Sequence, residues 1–237
     1  MNIKLISSLL FLIVSLSFSF SQEKLFERLQ DIVDPDYQNS ELWEGQKIDL
    51  DDVVGSPYLF PFWSPGYIIT FHDQKFENIE LKFDIYFNNL IYNDDGKEQV
   101  ALKGIIKEFG IEDSYQNRIR RFRLIRLLDK KKRLFCEVLY DTRLSLFMLT
   151  EANLQHKGPS PYGNAKSTYK INKVSTYYVI GDDGTFIRMR LNKSSVINGL
   201  YLKKSEIQNF IKKEKIKFKT EAELTKVIEF YDSIIQN

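Results

Sequence analysis

From Gly66 to Leu191 the chain runs in short apolar segments separated by polar, turn-forming clusters. The segments are GYIITF, IELKFDIYF, QVALKG, RFRLIRLL, LFCEVLY, LSLFML, STYYVI and TFIRMRL. Their β-branched and aromatic residues fit a pleated, half-buried surface, so each predicts a strand. YNDDGKE, DKKKR, YDTR and GDDG lie between them and predict turns. STYYVI–GDDG–TFIRMRL predicts a hairpin, because Gly181 and Gly184 can take positive φ and Asp182 and Asp183 suit a tight turn. Connections this short join antiparallel strands, since a parallel pair needs a long crossover. One longer loop, QHKGPSPYGNAKS from Gln155 to Ser167, interrupts the series.

After Leu191 the period changes from two to that of a helix. Ile207, Phe210 and Ile211 fall on one helical face. Thr220 followed by Glu223 predicts a capping box, ahead of a stripe of Leu224, Val227, Ile228, Tyr231, Ile234 and Ile235. Such a stripe has to be buried, and the meander is its nearest partner. The predicted fold class is therefore α+β. It is mainly an antiparallel β meander over 55–191, bent into an open sheet or half-barrel, with two C-terminal α-helices within 194–236.

Residues 1–21 predict an export signal rather than fold. Lys4 precedes the apolar run Leu5–Phe20, and Ser19 and Ser21 supply small residues before a cleavage point at Gln22. No Cys near that point invites a lipid anchor. Residues 22–54 predict an arm. Leu25, Phe26, Leu29, Ile32 and Val33 suit one face of a short helix that Pro35 stops, and an irregular polar linker follows. The mature protein is expected in the periplasm, at the outer membrane or outside the cell, with no transmembrane helix. Export removes one positive charge, Lys4, from a formal +2. So near-neutral a chain argues against a nucleic-acid partner.

The chemistry of catalysis is sparse. Cys136 is the single cysteine, so no internal disulfide supports the core, and its strand-like setting predicts a small buried hydrophobe. The two histidines, His72 and His156, stand 84 positions apart without a neighbouring His or Cys, which suits surface or turn roles better than zinc. No phosphate-cradling glycine loop and no nucleophile elbow occurs. NDDG and GDDG lack the alternating oxygens and distant acid of a calcium loop. Glu80 and Asp84 share one strand face, as two solvated acids also would. No catalytic residue, metal or cofactor is assigned.

Two stretches remain for binding. GSPYLFPFWSPGYIITF, Gly55 to Phe71, holds six aromatic residues and three of the chain's six prolines. Pro57, Pro61 and Pro65 exclude helix. The segment predicts either a lid burying its rings over the sheet or an aromatic face built by Phe60, Phe62, Trp63 and Tyr67. The second stretch is basic: Arg118, Arg120, Arg121, Arg123, Arg126, Lys130, Lys131, Lys132 and Arg133 are opposed locally only by Asp129. Arg121 and Arg123 stand for the wet face of that strand. It is either balanced by acids elsewhere or set against anionic headgroups or acidic glycans.

With these elements placed, the chain resembles a family of exported proteins of unknown function from Bacteroidota. The resemblance is carried by Gly55-Ser56-Pro57-Tyr58-Leu59, by Pro65-Gly66, by FENIELKFDIYFNN at 76–89 and by FIKKEKIKFKTEAELTKVIEFYDS at 210–233. It implies export, a shared fold and a structural role for Gly55, Ser56, Pro57 and Tyr58, and it implies no activity. FPFW departs from the polar residues expected there. Three functions follow as expectations. The first is a non-enzymatic envelope module binding a protein, glycan or lipid partner. The second is a carrier of a hydrophobic ligand inside the curved sheet, and the third is a hydrolase.

Overall fold

A computed structural model of the chain describes residues 42–43, 46–47, 53–158 and 168–235. The expected export signal, the short helix at 22–33 and most of the loop after Gly158 lie outside these residues. Within them the protein is α+β, as expected, and its main sheet is antiparallel apart from one short parallel pair.

The strands in chain order are β1 (Leu42–Trp43), β2 (Gln46–Lys47), β3 (Val53–Val54), β4 (Ser64–Thr70), β5 (Lys75–Asp84), β6 (Asn89–Asp94) and β7 (Lys97–Val100). β8 (Ile106–Asp113), β9 (Arg118–Leu127), β10 (Lys132–Asp141), β11 (Leu144–Lys157), β12 (Thr168–Gly181) and β13 (Phe186–Met189) follow. Among the described residues β1 and β2 pair only with each other. The remaining 11 form one sheet in the order β13-β12-β11-β10-β9-β8-β4-β5-β6-β7, with β3 beside the start of β12.

This is two meanders joined, not one. β4 lies between β5 and β8, so the chain leaves along β5–β7 and returns to β4's other edge as β8. β6 and β8 were not among the expected strands. Asn and Asp at the ends of β6 read as turn residues, and Gly110 with the charges of IKEFGIED breaks the alternation in β8. The predicted β12–β13 hairpin forms, with Gly184 at φ +86°. NDDG closes β6 onto β7, with Asp95 and Gly96 both at positive φ and the Asn93 side chain accepting from the Gly96 N–H at 2.8 Å.

The sheet bends so strongly that one strand serves two cores. On β11, Leu144, Leu146 and Met148 face the helices, and further along the strand Ala152 and Leu154 join the interior of the bend. That interior is filled by rings: Phe83 meets Phe109, Phe122 and Phe135, and Phe109 stacks on Phe122 at 5.0 Å. Phe147 and Leu149 point the other way and cover a third cluster with Leu127, Cys136 and Tyr178.

Three helices follow: α1 (Lys193–Gly199), α2 (Lys204–Lys213) after a 3-10 turn (Tyr201–Lys203), and α3 (Glu221–Ile234). The capping box is present: Thr220 Oγ1 accepts from the Glu223 N–H while the Glu223 carboxylate accepts from the N–H groups of Thr220, Lys219 and Lys217. α2 and α3 are joined by the Phe210–Phe230 stack at 4.1 Å. Buried Asp232 ties α3 to the β10–β11 turn by accepting from the Thr142 hydroxyl at 2.7 Å and the Arg143 guanidinium at 3.0 Å.

Candidate functional site

The aromatic stretch is built as a strap across the end of the bend. β3 pairs in parallel with Tyr169 and Lys170 of β12. The chain then crosses to β5, where the Leu59 N–H donates to the Phe83 carbonyl at 2.8 Å and the Ile85 N–H to the Pro57 carbonyl at 2.9 Å. Gly55 makes the first corner at φ +105°, the Ser56 hydroxyl accepts from the Tyr58 N–H, and the Lys173 ammonium holds the Tyr58 carbonyl at 2.6 Å. Phe60 enters the core at 7% exposure and stacks on Phe62 at 5.6 Å. Trp63 is half-buried beneath the Lys82 ammonium, 4.4 Å from its ring centre. These residues cap the interior, and of this aromatic group only Tyr115, from the β8–β9 turn, is largely exposed, at 74%.

Tyr67 belongs to a different neighbourhood. Its ring lies across Gly110, where any Cβ would collide with it, and its hydroxyl donates to Glu108 at 3.1 Å. Glu108 sits between β4 and β9 and also accepts two hydrogen bonds from Arg121, each at 3.1 Å. Arg123 reaches the same carboxylate at 3.1 Å and Asp141 at 2.7 Å. Burial alone would raise the Glu108 pKa, but the donors from Arg121, Arg123 and Tyr67 outweigh it and hold the carboxyl below its usual range. On the concave side, Arg118 and Arg120 converge on Glu137, which is 1% exposed. The first half of the basic strand is thus neutralised within the fold.

The second half is not. Arg126 and Arg133 stand directly opposite each other in the β9–β10 ladder, both exposed. Among the described residues neither has an ion-pair partner, nor have Lys131 and Lys132. Like charges directly opposite on a sheet repel. The Leu128–Lys131 turn that joins the two strands is pinned from below. Asp129 accepts from the Tyr178 hydroxyl at 3.2 Å and forms an ion pair with Arg188 at 3.3 Å, and Lys130 pairs with Glu151 at 2.8 Å. Leu128 stays 59% exposed above these anchors. The tip is therefore a fixed platform of four cations, without ion pairs among the described residues, around one apolar side chain.

The remaining chemistry is structural. Cys136 is buried and its thiol pKa is pushed up to about 12, chiefly by burial, so it is not a nucleophile near neutral pH. Asp84 is buried, and burial raises its pKa against the opposing N–H groups of Phe87 and Tyr86. His72 is exposed after β4, and His156 packs on Tyr169 at 5.1 Å. Among the described residues no group of three His, Cys, Asp or Glu side chains could hold a metal ion, and no helix is long and apolar enough to cross a membrane.

Sequence reasoning named Arg121 and Arg123 but did not identify their acids, which lie 13 to 20 positions away and meet them only through strand register. It recorded Arg126 and Arg133 without separating them from the rest, although a register for the DKKKR turn would have set them face to face. No family model, no curated protein and no solved structure matches this chain.

Proposed function

We propose that the protein is an exported, non-catalytic module of the cell envelope that docks on anionic lipid surfaces through the tip of the β9–β10 hairpin. The observation that carries this is the cross-strand pair Arg126 and Arg133, without counter-ions among the described residues, beside exposed Leu128. An anionic surface relieves that repulsion, and each cation near it contributes about 1 kcal/mol. Leu128 favours lipid over an acidic glycan, because an apolar side chain gains only where a hydrocarbon boundary lies behind the charges. Export is supported by the order of Lys4, apolar run and small residues in 1–21, and kinship with the Bacteroidota family by the motifs quoted above. The rings filling the bend favour a solid core over a ligand carrier.

Flotation of the mature protein with vesicles tests this. Binding to phosphatidylglycerol vesicles and not to phosphatidylcholine vesicles is expected. Arg126→Glu with Arg133→Glu should weaken it about tenfold or more, at unchanged melting temperature. A wild-type protein that stays in solution with both vesicles overturns the proposal.

A further inference from the structure

β10 and β11 are neighbours for only part of their length. Their ladder runs from Asp141↔Ser145 to Glu137↔Met148, with an irregularity between Val138 and Tyr140, and then stops. Both strands continue: β10 stays paired with β9 as far as Lys132, and β11 stays paired with β12 as far as Lys157. The two edges part around a cleft of about 550 Å³. Lys132 and Leu134 line one wall, Thr150 and Ala152 the other, and Tyr86 and Phe87 the end.

The β10 edge has already found a substitute for its missing neighbour. The buried Asn88 side chain accepts from the Phe135 N–H at 2.8 Å and donates to the Phe135 carbonyl at 3.0 Å. That reciprocal pair is what a residue of an adjacent strand supplies. The opposite edge, Leu149 to Asn153, has no ladder partner on this side among the described residues. A strand edge in a cleft is a template for one more strand.

We propose that this cleft is a second binding site, one that takes an extended peptide of another protein by strand addition along Leu149–Asn153. Polypeptide is favoured over glycan because the edge presents backbone donors and acceptors at strand spacing, which only another extended chain repeats. The charge of the wall narrows the sequence. Lys130 is matched by Glu151, whereas Lys132 has no ion pair among the described residues. A peptide with an acidic side chain facing Lys132 fits best. The cleft shares Lys132 with the lipid-facing tip, but the strand edge Leu149–Asn153 that defines it belongs to β11 and does not rest on the lipid reading.

Selection of a phage-displayed random peptide library on the mature protein, followed by amide hydrogen exchange of the complexes, tests this. Enriched peptides should carry Asp or Glu and slow exchange at Leu149–Asn153. Methylating alternate backbone nitrogens of a selected peptide should abolish its binding. Lys132→Glu, an exposed change that leaves the ladders intact, should weaken it about tenfold. The proposal is overturned by an empty selection, by protection confined to other strands, or by methylated peptides that bind equally well. Peptides that lose affinity only with Arg126→Glu and Arg133→Glu would also overturn it, since charge at the tip would then be all they recognise.

Discussion

At the scale of single residues, the charges that looked most available are the ones the fold uses. Arg121 and Arg123 hold Glu108 and Asp141, so reversing them damages the sheet before it touches any partner. Glu137→Ala removes the counter-charge of half-buried Arg120, and breaking an enclosed pair costs about 3–5 kcal/mol. Urea unfolding of that variant should show a correspondingly lower midpoint. Gly110→Ala should destabilise by about 1–3 kcal/mol, because the new methyl meets the Tyr67 ring, and Tyr67→Ala in the same chain should recover part of the loss. Acid sensitivity follows from the same groups. Glu108, Asp141 and Asp232 all have pKa values below their ordinary ones, so they contribute stability above the unfolded carboxylate range that is lost as pH falls through their lowered values. Asp84 has the opposite sign: its raised pKa adds stability in acid and withdraws it as pH rises. The melting temperature is expected to fall below about pH 4, and Asp84→Asn should change it at pH 7 but not at pH 3.

At the scale of elements, local chemistry was legible wherever the signal was local. The capping box, the NDDG and GDDG turns and the apolar stripe of α3 each depend on residues within a few positions, and each formed. Thr220→Ala should cost about 1 kcal/mol, seen as a lower melting temperature with the fold retained. β8 was not legible, because its Glu108 and Gly110 look wrong for a strand until Tyr67, Arg121 and Arg123 are beside them. α1 was missed for a related reason. Its seven residues bury only Val196 and Ile197, and it depends on the Asn192 cap and on packing against β13. Lys132 and Arg133 were visible as charge, but their separation from the paired arginines upstream is a fact of register.

At the scale of the molecule, the aromatic strap decides whether the bent sheet has an end. It joins β12 to β5 through backbone bonds and seats Phe60 against Phe62. Phe60→Ala should therefore destabilise by about 3–5 kcal/mol, whereas Trp63→Ala, whose ring is half-buried under Lys82, should lower the melting temperature by less. Comparing the two melting curves separates core from surface within one short segment. The ring-filled interior and the strap were foreseeable from aromatic abundance and three prolines. Which face of the strap met water was not, because it depends on a crossing between strands more than twenty positions downstream.

The shared strand β11 sets how this protein can come apart. From Leu144 to Leu154 it runs roughly 33 Å at strand rise, with one end rooted under the helices and the other in the ring-filled bend. Neither hydrophobic unit can melt alone without stripping residues from a strand the other still needs. The two should behave as a single foldon, with the amides on the β12 side of β11 exchanging only on global opening. A change beneath α3 would then alter the breathing of the Leu149–Asn153 edge.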